Sequence, residues 1–277
     1  MGLTLLCVHA HPDDEASFTG GVLRRYADEG IRTVLVTCTN GEFGDAPGGV
    51  HPSDAAHDPE AVAALRAGEL DEAARHLRVD RLVRLGYRDS GMMGWSQNDD
   101  PRCFWRTDVA TAADRLARII AEERPQVVVT YNENGFYGHP DHIQANRITL
   151  AALATLDDPP TLYYNAIPES VMVAYRARWL EEDRAAAEAR GEEFSPEPAE
   201  YDLGTPDDLV DAAIDVAVVA GAKFDALAAH ASQLADSFWM TMGRDRFVET
   251  MTTEWFVRAT NPRELRGRVS DLFAGYR

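Results

Sequence analysis

Lysine is almost missing from this chain. Lys223 is the only one, and every other basic side chain is arginine, a bias expected of GC-rich coding rather than of function. Positive charge is scarce altogether: 27 Lys and Arg stand against 46 Asp and Glu, a net charge of -19. A chain of that charge repels phosphate backbones and anionic lipid surfaces, which argues against nucleic acid and membrane partners. No apolar run approaches the roughly 20 residues that span a bilayer. The first residues enter a short strand with no basic leader, so no signal peptide is expected. Cysteine is sparse as well. Cys7, Cys38 and Cys103 form an odd set without a CxxC spacing. Cys7 and Cys38 lie in strand-like runs, where free cysteine behaves as a small apolar residue. A reducing, cytoplasmic setting is the expectation. One further absence concerns chemistry. A dinucleotide fold carries a Gly-rich turn after its first strand, and here His11-Pro-Asp-Asp-Glu15 stands in that place.

What is present reads as an α/β protein. A hydrophobic content of 45% supports a real core and is inconsistent with disorder. The length, 277 residues, suits one large domain over 1–277. Its first part, 1–157, reads as a Rossmann-like core, and 158–277 as a C-terminal part completing the substrate cleft. Leu3–His9, Thr33–Thr39, Arg81–Gly86 and Val127–Tyr131 read as strands. Helix-like segments follow at 14–28, 59–77, 108–123 and 143–156. The helix at 108–123 presents Val109, Ala113, Leu116 and Ile120 on one face. This alternation predicts a doubly wound, mainly parallel sheet with helices on both faces. Beyond Thr161 the pattern is irregular. Strands are expected at 161–167, 209–218 and 253–259, helices at 168–190 and 220–235, and an acidic surface loop at 191–202.

The same three residues occur at two strand ends. Strand one runs into His9-Ala-His-Pro-Asp-Asp-Glu15, and strand four into Tyr131-Asn-Glu-Asn-Gly-Phe-Tyr-Gly-His-Pro-Asp-His142. With a strand order of 3-2-1-4-5, these two ends flank the crevice where open α/β sheets bind ligands. A lone histidine at a strand end is more often structural or solvated than a ligand. Two His-Pro-Asp copies at equivalent ends, each with an extra Asp or His, reverse that balance. Two imidazoles and a carboxylate with one open position form a common catalytic zinc arrangement, which His11, Asp14 and His142 would supply. Iron accepts the same set. Zinc lowers the pKa of bound water toward about 7 and polarises a carbonyl. Asp13, beside a ligand, is then the candidate base. His139 would face the other side of the reacting carbon. Asp141 would hydrogen-bond His139, fix its tautomer and favour its protonated form. A protonated His139 stabilises an oxyanion and then protonates a leaving amine. Such equipment hydrolyses amides. Arg66 falls in the inward stripe of its helix with Val62, Leu70, Ala73 and Leu77. It must pair with a carboxylate such as Glu42 or face a cleft and hold substrate hydroxyls.

These residues resemble a known family. Val8-His-Ala-His-Pro-Asp-Asp-Glu15 and Gly135-Phe-Tyr-Gly-His-Pro-Asp-His142 are similar to the two signatures of the LmbE-like, or PIG-L-type, zinc N-deacetylases. Cys38-Thr-Asn-Gly-Glu42, Leu65-Arg-Ala-Gly-Glu69, Arg88-Asp-Ser-Gly-Met92 and Ala229-His-Ala-Ser-Gln233 are similar to the mycothiol-pathway branch. The resemblance is strong to about Ala152 and patchy afterwards. It implies zinc ligation by His11, Asp14 and His142, and Asp13 as base. It implies His139 as electrostatic stabiliser and acid, oriented by Asp141. Tyr137 matches a tyrosine that swings toward the reacting carbonyl. Arg66 and Asp89 match positions that hold sugar hydroxyls, with Glu42 in the same role. The implied activity removes an acetyl group from a small molecule containing N-acetylglucosamine. The alternative keeps the chemistry on another substrate: a mycothiol S-conjugate or a natural product. Intact Asp13, His139 and Asp141 argue against a non-catalytic binder. The implied partner is an amino-sugar small molecule, and a homo-oligomer is compatible with the sequence. Two departures stand out: Phe136 where these relatives usually have Gly, and Asn132 where they have Asp. The 40–58 loop and the Trp95–Trp105 segment also look unlike the mycothiol enzymes, and such loops shape the pocket.

Overall fold

The computed structural model describes residues 2–191, 193–194 and 203–277, so most of the expected acidic loop at 191–202 lies outside the described residues. Strand β1 (Thr4–His9) pairs in parallel with β2 (Arg32–Thr39) on one side and with β4 (Val127–Thr130) on the other. All three are buried along almost their whole length, as strands covered on both faces must be. β3 (Arg81–Tyr87) closes one edge beyond β2, and β5 (Thr161–Ala166) lies beyond β4. These five parallel strands stand in the expected order. Two more extend the sheet, giving β3-β2-β1-β4-β5-β7-β6. They are β6 (Ala212–Asp215) and β7 (Thr253–Arg258), with β7 antiparallel to both neighbours. The strand expected at 209–218 is thus only four residues long. It pairs with β7 and, through a single bridge, with Val269, and the chain turns away at Val216.

Side chains alternate across the sheet with the two-residue period of a strand. Leu5 and Cys7 of β1 enter one core, and Leu6 and Val8 enter the other. The first core lies under α2 (Gly20–Asp28), α3 (Pro59–His76) and the C-terminal helix Ala220–Ala229. The second lies under α4 (Val109–Glu123) and the helix Pro140–Leu153. Each leucine fully buried there contributes roughly 1.5–3 kcal/mol. In α4 the inward residues are Ala112, Ala113, Leu116, Ile119 and Ile120; Val109 sits half-buried in the first turn, at the rim of the core. Among the described residues no helix is long and apolar enough to cross a membrane.

The helix expected at 14–28 is in fact two, α1 (Asp14–Phe18) and α2, and no side chain caps α1 from the Asp13 position. The break at Thr19 has a distant cause. The Glu254 carboxylate of β7 accepts the first free amides of α2, from Gly21 at 2.7 Å and Val22 at 2.8 Å. It also takes Lys223 Nζ at 2.6 Å. A carboxylate at a helix N-terminus meets orphan donors and the positive end of the helix dipole. The chain's one lysine therefore completes a buried ion pair that joins the last strand to the first long helix.

A candidate metal and catalytic centre

Residues 5–7 of β1 pair with 127–129 of β4, so the loops leaving both strands meet. Tyr131 binds them together. Its ring stacks on His142, with centroids 4.1 Å apart and planes at 18°. Its hydroxyl accepts the Ala10 amide at 2.8 Å. His9, next to the site, is a satisfied core residue: its ring nitrogens reach Tyr131 and Thr19. After β4 the chain makes one kinked turn, α5 (Gly135–Gly138), and enters α6 (Pro140–Leu153). Gly135 has φ +63, and a Cβ there would lie 2.7 Å from the Ile143 amide nitrogen. Its carbonyl accepts His142 Nδ1 at 3.2 Å. Gly135→Ala is therefore expected to cost about 1–3 kcal/mol of stability and to shift the His142 ring. Thermal melts and metal affinity read the two effects.

Ligand-type atoms of three residues approach one another, with Asp14 offering one carboxylate oxygen to each histidine. His142 Nε2 lies 3.3 Å from His11 Nδ1. Asp14 Oδ2 lies 3.4 Å from His11 Nδ1, and Asp14 Oδ1 lies 3.4 Å from His142 Nε2. A tetrahedron with arms of about 2.05 Å has edges of about 3.35 Å, so these spacings suit a tetrahedral zinc. The remaining ring nitrogens are engaged as ligating imidazoles usually are. His142 Nδ1 faces the Gly135 carbonyl, and His11 Nε2 faces Asp141 Oδ2 at 3.3 Å and Asp89 Oδ1 at 3.7 Å. Burial opposes charge on His11, yet Asp89, Asp14 and Asp141 hold its pKa well above the usual imidazole range. Metal binding at His11 would have to displace that proton. Burial pushes His142 down to about 4, which leaves it neutral. Burial also resists the Asp14 charge, but His142 and His11 hold its carboxyl well below the usual range.

Two groups among the described residues bring one potential ligand atom from each member close to all the others, and neither contains Asp14: His11 with His139 and His142, and His11 with Asp89, His139 and Asp141. Both require His139 as a ligand, and its surroundings argue otherwise. His139 occupies the N-cap of α6, where its Nδ1 accepts the Asp141 amide at 3.1 Å. With Nδ1 accepting, the proton of the neutral ring sits on Nε2, which is then a donor. The expected protonated His139 is corrected on the same grounds. Burial, then His11 and His142, hold its pKa well below the imidazole range. A helix N-terminus disfavours a cation further. The expected bond from the Asp141 carboxylate to His139 is also absent among the described contacts. That carboxylate turns to His11, to the Ser90 amide at 2.9 Å and to the Ser90 hydroxyl. Burial pushes its pKa up to about 6. Asp141 orients His139 through its backbone amide.

Asp13 has φ 118 and ψ -28, a strained conformation for a residue other than glycine. Two partners hold it, and His230 backs one of them. Its carboxylate accepts Arg66 at 2.8 Å. Its amide donates to Glu15 Oε2 at 3.0 Å, and Glu15 Oε1 meets His230 Nε2 at 2.6 Å. Burial, opposed by Arg66, pushes the Asp13 carboxyl up to about 6. Arg66 thus pairs with Asp13, and not with Glu42 as one expectation had it. Its Nη atoms also donate to the Gly41 and Pro12 carbonyls, while Nε has no partner among the described residues. Arg66 is 3% exposed, as enclosed as Asp89. Asp89 and Glu42 meet across the ends of β3 and β2. The Asp89 amide donates to Glu42 at 3.1 Å, and the Asp89 carboxylate accepts the Phe43 and Gly91 amides. Burial raises the Glu42 pKa. The Tyr137 ring lies against His142, with centroids 4.9 Å apart. Phe136 has φ 68 and ψ -58, a rare and strained turn geometry that explains why glycine suits that position. Its ring is buried on Phe18 at 4.9 Å.

Sequence reasoning quoted Glu15 and His230 but gave them no role. His230 interrupts the helix expected at 220–235, separating α8 (Ala220–Ala229) from α9 (Ala231–Leu234); α7 (Glu169–Arg190) precedes both. The same short motif ties down one helix and one loop. Ser232 binds Glu69 of α3, and Gln233 binds the backbone of Asp45. His230→Ala is expected to keep the metal and lower kcat about 10- to 100-fold, as loss of an outer partner does. Metal content and turnover on the same preparation check this.

A family model described as GlcNAc-PI de-N-acetylase (PIG-L) matches residues 6–153, which include both His-Pro-Asp loops. A 1D-myo-inositol 2-acetamido-2-deoxy-alpha-D-glucopyranoside deacetylase of Thermobifida fusca is 44% identical over 98% of this chain and 98% of its own. One from Salinispora arenicola is 41% identical over 98% of this chain and 91% of its own. In fold, the chain resembles the N,N'-diacetylchitobiose deacetylase from Pyrococcus horikoshii with a TM-score of 0.57 and 20% identity, covering 91% of this chain and 82% of that one. The chain belongs to the PIG-L family of de-N-acetylases.

Proposed function

We propose that this protein is a zinc-dependent deacetylase that removes the acetyl group from N-acetylglucosaminyl-inositol, the substrate named for its relatives. The observation that carries the reading is the convergence of His11, Asp14 and His142, each pair in contact at 3.3–3.4 Å through one or other Asp14 oxygen, with Asp13 adjoining Asp14. A bound zinc supplies an acidified water and a Lewis acid for the amide carbonyl. The protein groups then divide the proton work. Asp13 accepts the proton of the attacking water, and its raised pKa suits a base working near neutrality. The His139 Nε2–H donates to the oxygen of the amide carbonyl as negative charge develops there. The carbon–oxygen bond forms, the carbon–nitrogen bond breaks, and Asp13 returns its proton to the leaving nitrogen. The products are acetic acid, which ionises to acetate, and a free amine.

Arg66, Glu15 and His230 hold Asp13 in place. Tyr137 closes over the reacting carbonyl, and Asp89 and Glu42 face the sugar hydroxyls. The C-terminal part completes this cleft through the His230–Gln233 motif. Three free, buried cysteines support a cytoplasmic setting. The second reading, a mycothiol S-conjugate amidase or natural-product deacylase, draws on Phe136, whose ring packs on Phe18 and Tyr137, two rings that flank His142. Parallel assays of N-acetylglucosaminyl-inositol and a mycothiol S-conjugate separate the two. Higher kcat/KM on the former is expected, and the reverse order would favour the second reading.

A further inference from the structure

The mechanism leaves one large cavity without a use. It lies at the end of β5, beside the metal triangle, with a volume of about 310 Å³. That is the lower end of the range for ligand pockets, roughly 300–1,000 Å³. Phe18, Phe136, Tyr175, Trp179, Trp239 and Trp255 form much of its wall. Tyr137 and Phe18 border both the cavity and His142, so the two compartments share a wall. A hexose and an inositol carry hydroxyls that such a wall cannot pair.

The polar atoms in the wall define what fits. Lys223 and Glu254 also line it, but they neutralise each other, and both Glu254 oxygens are already engaged by the α2 amides. The wall therefore offers no unpaired charge. Asn165 differs. It is 3% exposed, and neither its Oδ1 nor its Nδ2 has a hydrogen-bond partner among the described residues. Trp179 Nε1 is likewise without a partner. A buried amide with both ends unmet is costly, and a ligand bringing a donor or an acceptor recovers that cost. We propose that this cavity binds an uncharged small molecule or substituent with an aromatic or alkyl body and a single amine, amide or hydroxyl head that pairs with Asn165. Binding there does not depend on the deacetylase reading.

N-phenyl-1-naphthylamine tests it: an uncharged diaryl amine that fluoresces in apolar surroundings. The metal-loaded full chain is expected to bind it saturably at one site. Met172 is half-buried on the cavity wall, so Met172→Trp fills the space without touching the catalytic centre and should abolish binding. Asn165→Leu should weaken binding about tenfold, a typical loss for one hydrogen bond, while raising Tm because an unmet amide is removed. A structural role for Asn165 would instead lower Tm and leave the Kd unchanged. Competitive inhibition of deacetylation by the probe would mean that the cavity takes part of the substrate. Binding without inhibition would mean that it takes a separate molecule. Unsaturable binding, or equal binding by Met172→Trp, overturns the proposal.

Discussion

Asp13→Ala is expected to keep its metal and lose about 10²- to 10⁴-fold in kcat, the usual contribution of a positioned acid–base group. Asp13 is next to a ligand in sequence, but its carboxylate turns to Arg66 at 2.8 Å rather than to the histidine triangle. Removing it should leave His11, Asp14 and His142 intact. It would also leave the Arg66 guanidinium buried without its counter-ion, and that alone is destabilising. Asp13→Asn separates the two effects. An amide oxygen can still accept from Arg66, so this variant should melt close to wild type and still lose turnover. If both variants keep near-normal kcat with bound metal, Asp13 is not the base.

His142→Ala carries the other large effect. It removes one corner of the triangle, the ring stacked on Tyr131 and the donor to Gly135. Metal should be lost on dialysis, and deacetylation with it. Chelation of the wild-type protein should have the same consequence, followed by partial recovery on adding zinc. The variant should not recover. Recovery of His142→Ala with zinc would place the metal elsewhere, in the group formed by His11, Asp89, His139 and Asp141.

The two His-Pro-Asp loops were legible in the sequence because both halves of the information are local. Alternating apolar strands set the β1–β4 neighbourhood, and each loop follows its strand at once. What was missed arrives from far along the chain. Glu15 and His230 are 215 positions apart, and nothing in either local pattern announces a pair. The same holds for Glu254, which reaches α2 across 233 positions and splits the expected first helix. Antiparallel β6 and β7 depend on pairing partners that periodicity cannot supply. His139 was misread for a different reason. Its sequence spacing to Asp141 suggested a carboxylate partner, but the residue after a helix-opening proline lies at the helix N-terminus, where its free amide faces the N-cap ring. The carboxylate was free to turn to Ser90, which the loop after β3 delivers.

X-ray absorption at the zinc edge, on wild-type protein loaded with one equivalent, examines the metal triangle itself. The expected first shell holds two imidazole nitrogens and carboxylate or water oxygens at about 2.0–2.2 Å, with no sulfur. A shell with three imidazoles would put His139 among the ligands and remove it as a hydrogen-bond donor. A shell with fewer than two would dissolve the pairing of His11 with His142 on which the hydrolytic chemistry rests.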